Sequence, residues 1–366
     1  MLLIVFACVV VAVLWLAFTQ RHALSSFGGF LFSPTGWDIS LTFIPYSAND
    51  PYWWAFLVGL TNTVMAGAFG IIGATLIGFV IGAAPLANNK ILSMLASVYT
   101  DVFRNIPLIL QAIFWYGIIL HLPPARQAIR IFDAVFLSSR GFVVPKFSNT
   151  PLVLTAVILA ALCLGFMLKG FRIWRDEVAS PRQRRRVAIA ALVAVSCAAG
   201  LLFLAPSLAV AAAIDWPVLQ GLNFRGGLYM TPEFAAVVVA IVIYRGAFMA
   251  EIFRGGFTST SPGQIDAAKS LGLRPLATLW KVRLPIALVH IVPPLSNEYI
   301  NIVKVTAIGI IIGFPDLFWV SSNATMQTGK PMQVLFVMIA IYLVLNFSLA
   351  AVMNAINDRV RARGFS

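Results

Sequence analysis

Apolar residues fall in eight long runs, at about 1–18, 53–84, 94–120, 151–169, 187–207, 233–253, 286–312 and 333–357. As helices, runs of this length cross a hydrocarbon core of roughly 30 Å. The pattern predicts an all-α, polytopic membrane protein of about eight transmembrane helices. Met1 opens directly on the first run, with no basic n-region and no A-x-A cleavage site before Arg21. A retained helix is therefore favoured over a signal peptide. The expected organisation is an N-terminal helix and external loop over 1–52, then a transmembrane domain over 53–366. A two-helix insert occupies about 121–232 within that domain. The loop from Arg21 to Pro51 is expected to pack on the membrane surface.

One polar interruption differs from the rest. Ser261-Pro262-Gly263-Gln264 has the S-x-x-Q form of a capping box with proline at the first helical position, and Gly272 supplies a stop. Pro262 to Leu271 should thus be a helix of about 15 Å, too short to cross a bilayer. Gly255-Gly256 before it and Leu284-Pro285 after it are expected to set it apart between two spans. A rigid, capped helix held between spans suits docking on another protein.

Composition agrees with a membrane protein: 60% of residues are hydrophobic, 11% are charged, and the mean hydropathy is +0.91. The net charge of +13 could indicate nucleic acid. Its placement excludes that reading, because the basic residues sit in a few loops and no basic face is interleaved with aromatics. The loops at 85–93, 169–186 and 254–285, with the tail from Asp358, hold 16 Lys and Arg; those at 19–52, 121–150, 208–232 and 313–332 hold 7. By the positive-inside rule the first set, and both termini, are cytoplasmic. The run KGFRIWRDEVASPRQRRR at 169–186 reads as a cytoplasmic flank facing anionic lipid. Cys8, Cys163 and Cys197 lie in apolar runs and read as buried small hydrophobes; His22, His121 and His290 are scattered, so no metal site is expected.

Asp266-Ala267-Ala268, Gly272 and Leu284-Pro285 resemble the EAA-x3-G-x11-LP signature of ABC importer permeases, with Asp266 in place of the usual glutamate. AExxRGG at Ala250 to Gly256 (containing Glu251), Gly263-Gln264, and the run to Asn301, Lys304 and Thr306 narrow the resemblance to the polar amino-acid uptake branch. FRNIPLILQ, from Phe103 to Gln111, resembles a segment of the same branch in which a surface helix turns into a span at Pro107. The eight-span plan is similar to one permease of the general L-amino-acid (glutamate/glutamine/aspartate/asparagine) importers. Relatives there tend to carry a polar segment before the first helix, which implies a longer native N-terminus. The resemblance implies a type I importer permease fold in a bacterial inner membrane. Its short helix would be the coupling helix, with Gly263, Gln264, Asp266, Ala267, Ala268, Gly272, Leu284 and Pro285 as the ATPase-coupling set. It also implies a sister permease, two cytoplasmic ATPase subunits that carry ATP and Mg, and a periplasmic amino-acid-binding protein. This chain itself is expected to carry no cofactor.

The chemistry agrees in what it lacks. No GxxxxGK[ST] and no GxSxG occur, and no acid/base set stands out, so transport energy must come from a partner or an ion gradient. An ion-coupled secondary transporter is the alternative, and a membrane-embedded enzyme or scaffold a weaker one. No repeated half-sequences favour the former, and no catalytic set the latter. Polar residues in or beside spans are candidates for the substrate path: Asn62, Thr63, Arg104, Gln111, Arg245, Glu251, Asn301, Lys304 and Thr306. Each has a structural competitor. Asn62 and Thr63 could join helices, and Arg104 could pair with Asp101 three residues earlier. Arg245, deep in its span, could form an ion pair or meet the carboxylate of a passing amino acid. Gly59, Gly67, Gly70, Gly73 and Gly78 give one helix a small-residue face for close packing.

Overall fold

The computed structural model describes residues 29–87, 89–132, 134–147, 214–221 and 223–364. The spans expected at 1–18, 151–169 and 187–207, and the basic loop at 169–186, lie outside the described residues. The chain divides into two units, one running to His121 and resuming at Thr231, the other from Leu122 to Met230.

The first unit is helical. Its elements are α1 (Tyr52–Ala83), α2 (Lys90–Asn105), α3 (Leu108–Leu120), α4 (Pro232–Thr258), α5 (Pro262–Ser270), α6 (Pro275–Thr278), α7 (Leu284–Val305), α8 (Leu317–Thr328) and α9 (Pro331–Gly364). Among the described residues four helical stretches are long and apolar enough to cross a membrane: Tyr52–Ala87, Pro232–Thr258, Pro275–Ile312 and Pro331–Val360. The run at 94–120 is the pair α2 and α3, bent by 103° at the point where a surface helix is expected to turn into a span, Pro107. Pro107 causes the break. It has no N–H to give to the carbonyl of Phe103, four residues back. The Gln111 side chain takes that carbonyl instead, donating to Phe103 O at 3.0 Å and to Ile106 O at 3.1 Å.

α1 packs along α4 through its glycines. A Cβ added at Gly78 would lie 2.5 Å from Met249 Cβ, and one at Gly82 would lie 2.6 Å from the Ala250 carbonyl oxygen. The absence of side chains there sets the helix separation. Gly255 and Gly256 do not end α4 as expected; the helix runs through both to Thr258. Gly256 is a contact position, because a Cβ there would overlap Ile291 of α7, whereas Gly255 faces open space.

Leu284-Pro285 does not open a new helix after a loop. α6 leads through a π-helical turn, Leu279–Arg283, straight into α7. Pro285 cannot donate to the Lys281 carbonyl and its ring crowds that oxygen, so the backbone widens there.

Residues 29–51 pack on the protein itself. Phe30, Ile39 and Leu41 are buried, Phe30 meets Tyr52 edge-on at 5.9 Å, and Trp37 meets Trp319 at 5.7 Å. The stretch 313–332, read as a loop, contains α8. Asp316 caps it by accepting the Trp319 N–H at 2.9 Å, and Gly329 closes it in the left-handed conformation.

The described part of the second unit, read from the sequence as loops, is β. Strands β1 (Ile129–Ile131), β2 (Val135–Ser138) and β3 (Gly141–Val144) form an antiparallel sheet with Leu228–Met230 as its fourth strand. Two shorter antiparallel pairs, Lys146–Phe147 with Ile214–Asp215 and Val218–Gln220 with Asn223–Arg225, complete it. Short β-branched and aromatic runs broken by turns favour strands over helix here.

Candidate functional site

α5 has the termini its sequence predicts. The Ser261 N–H donates to Gln264 Oε1 at 3.3 Å, and Pro262 fills the first turn. At the other end Gly272 sits at φ +72°. Its N–H donates to Lys269 O at 2.8 Å, and the Leu273 N–H donates to Ala268 O at 3.1 Å. That pair of bonds is a Schellman closure, and it needs a left-handed residue at Gly272. Gly263, Gln264, Asp266 and Ala267 are exposed, while Ala268 is buried against the chain itself. Ala268 thus anchors the helix to the rest of its own chain. Asp266 pairs with Lys269 at 3.1 Å on the outer face, where such an i,i+3 contact is weak and easily exchanged. Beside the helix, Leu271, Leu276 and Trp280 are exposed large apolar side chains. A polar, capped helix with this apolar rim has the character of a protein-docking surface.

The substrate-path candidates separate into two groups. Asn62, Thr63, Gln111 and Thr306 are buried and hold backbone or each other's neighbours. Asn62 Nδ2 donates to Leu41 O at 2.8 Å and Pro315 O at 2.7 Å. Thr63 Oγ1 accepts the Leu317 N–H at 3.0 Å. The Thr306 hydroxyl donates to Val303 O at 3.0 Å and lies 3.4 Å from Asp316 Oδ2. Asn62, Thr63 and Thr306 fix the turn into α8, Gln111 holds the bend between α2 and α3, and all four are buried.

The others are accessible. Glu251 accepts from Arg254 Nε at 3.2 Å within α4. Asn301 is half-buried on α7. Lys304 is exposed and lines a groove of about 390 Å³ between α7 and α9, with Tyr342 and Asn346. Arg104 does not pair with Asp101; its guanidinium carbon lies 5.1 Å from the Phe248 ring centre. Arg245 Nη1 meets Glu298 Oε2 at 3.0 Å, with side-chain exposures of 14% and 16%. Glu298 and Asp316 were missed from the sequence. Glu298 is the one carboxylate in the run 286–312, and that could have marked it as Arg245's counter-ion. For Asp316 the signal was its position just before an apolar stretch that ends in glycine.

Residues 178–362 match the family described as "Binding-protein-dependent transport system inner membrane component". The chain is 36% identical to the putative amino-acid ABC transporter permease protein YhdX of Escherichia coli, over 93% of this chain and 87% of that one. It is 32% identical to the general L-amino acid transport system permease protein AapQ of Rhizobium johnstonii, over 93% and 85%. A third relative, the glutamate/glutamine/aspartate/asparagine transport system permease protein BztB of Rhodobacter capsulatus, is 29% identical over 91% and 85%. These relatives are ABC permeases, and they lend no support to the ion-coupled alternative. With its apolar spans and the Asp266–Gly272 segment in place, the chain belongs to the binding-protein-dependent transport system inner membrane components, as an ABC transporter permease.

Proposed function

We propose that this permease carries L-amino acids across a bacterial inner membrane and that α5 transmits the ATPase cycle to it. The observation that carries the reading is α5 itself: an exposed, doubly capped nine-residue helix between spans, rimmed by Leu271, Leu276 and Trp280. A helix closed at both ends moves as one piece, so a push on its outer face reaches α4 and α7. The amino-acid cargo is supported by what the named relatives transport. The coupling set is Gly263, Gln264, Asp266, Ala267 and Gly272 on the outer side, Ala268 as inner anchor, and Leu284-Pro285 at the π-helical turn.

The complex holds a non-identical sister permease, two ATPase subunits that bind ATP and Mg, and a periplasmic binding protein. The chain itself does not hydrolyse ATP. α5 and both termini face the cytoplasm, in line with the Lys and Arg distribution. The test is Gly272→Asp. At φ +72° a side chain is strained, and the Schellman closure loosens. Membrane insertion should be unchanged, while uptake and substrate-stimulated ATP hydrolysis fall together. Parental stimulation of hydrolysis in that variant counts against a coupling role for α5.

A further inference from the structure

The four-stranded sheet of the second unit has two different faces. Paired residues of antiparallel strands share a face, and so do alternate residues along a strand. Phe136 and its partner Val143 lie on the packed face, where Phe136 meets the Phe224 ring at 4.7 Å and Val143 is buried. On the other face Ile129 pairs with Leu137, Ile131 with Val135, Leu137 with Phe142 and Phe142 with Met230. Every residue that the four strands place on this second face is apolar, yet none is buried. A sheet that turns one face to water carries polar side chains there, and this one does not. At the edge, β1 runs into Phe132, the one non-glycine residue with positive φ among the described residues, at +52°. Its ring is 97% exposed. A left-handed backbone is strained for an aromatic residue, and a ring in water gains nothing that offsets the strain.

Four short links join this unit to the membrane: 121–124 from α3, 148–150 and 208–213 to the apolar runs read as spans, and Thr231 into α4. The longest, six residues, reaches only about 24 Å at full stretch. The sheet is therefore held beside the bilayer. Charge fits as well. Residues 122–147 and 214–230 hold five Lys and Arg against two Asp. Lys146 pairs with Asp215 at 3.8 Å, while Arg126 and Arg130 make no ion pair among the described residues. Arg130 sits between Ile129 and Ile131 and points to the opposite face, 5.9 Å from the Phe136 ring centre. With the apolar face on the acyl boundary, such an arginine reaches the height of the phosphates.

We propose that this apolar face, led by Ile129, Ile131 and Phe132, lies in the interfacial layer of the membrane the chain spans, with Arg126 and Arg130 on the phosphates of anionic phospholipids. A transient protein partner would leave the face in water between visits, whereas a bilayer within reach covers it throughout. Burial of the Phe132 ring then offsets the strain of its backbone. The assignment is independent of the cargo and of the coupling role of α5.

The test uses the assembled permease–ATPase complex, its native cysteines replaced, in nanodiscs of phosphatidylcholine with or without phosphatidylglycerol. A nitroxide is placed at Phe132→Cys, or at Ile131→Cys should the turn be disturbed. The reference is Gln220→Cys, an exposed position on the hairpin whose Phe224 covers the packed face. Labels at 131 and 132 should collide more with dissolved oxygen, which partitions into lipid, than with a water-soluble nickel chelate. The label at 220 should show the reverse. Arg126→Gln and Arg130→Gln should each lower the docked-to-free ratio about fivefold in discs with phosphatidylglycerol, and change nothing in discs without it. Nickel access at 131 and 132 equal to that at 220 overturns the proposal. So does low access to both reagents, the mark of burial in protein, whether present from the start or only once binding protein is added.

Discussion

Asn62, Thr63 and Gln111 were each readable as polar groups in apolar spans, but what they hold was not. Their partners are backbone atoms brought close only by the fold, Leu41 and Pro315 for Asn62 and Leu317 for Thr63. Gln111 was nearer to legible, since Pro107 necessarily frees the carbonyl four residues before it. Replacing Asn62 by Leu strands two buried carbonyls and should cost about 1–3 kcal/mol, read as a lower thermal midpoint of the purified complex. A midpoint equal to the parent's would show that the turn into α8 is held by other contacts.

Asp316 adds a pH term at the same turn. Burial pushes its carboxyl up to about 6, more than the Trp319 N–H and Thr306 hydroxyl can offset. An acid raised in the folded state stabilises most below its ordinary value, and that contribution fades as pH rises through about 6. Between pH 5 and pH 8 the parent should lose about 1 kcal/mol relative to Asp316→Asn, which keeps a capping side chain. Identical pH profiles for the two proteins would remove Asp316 as the source.

At the scale of elements, the local signals proved reliable where chemistry forces the backbone. Ser261, Gln264 and Gly272 fixed both ends of α5, and Pro107 fixed the break between α2 and α3. The glycine pair at the end of α4 shows the limit. From sequence Gly255 and Gly256 look alike, yet one faces open space and the other touches Ile291, a tertiary fact. The stretch 313–332 was misread because its helix is short and its cap, Asp316, is buried by distant segments. Substitutions separate these cases. Gly82→Ala would press on the Ala250 carbonyl and should destabilise the α1–α4 contact by about 1–3 kcal/mol. Gly255→Ala meets nothing and should be neutral or stabilise slightly, because alanine favours helix. Equal thermal midpoints for the two variants would contradict the glycine-set spacing.

For the whole molecule, hydropathy and the Asp266–Pro285 segment made the class and the family legible, because both follow from short-range chemistry. The β character of the described insert was hidden among apolar runs that alternate too briefly to stand out. The side of the membrane on which each loop lies is testable directly. After replacement of the native cysteines, Ser270→Cys should label only from the cytoplasm and Gln127→Cys only from the periplasm. Same-side labelling would overturn the orientation.

The central claim, an ATP-driven amino-acid importer whose permease is this chain, is tested most directly by uptake in proteoliposomes. They should contain the chain with the proposed sister permease and ATPase subunits, with binding protein and radiolabelled L-glutamine or L-glutamate supplied outside. Uptake should require enclosed ATP and Mg and also the binding protein, and should persist after proton and sodium gradients are collapsed. Uptake that proceeds without ATP and stops when a gradient is dissipated would contradict the account.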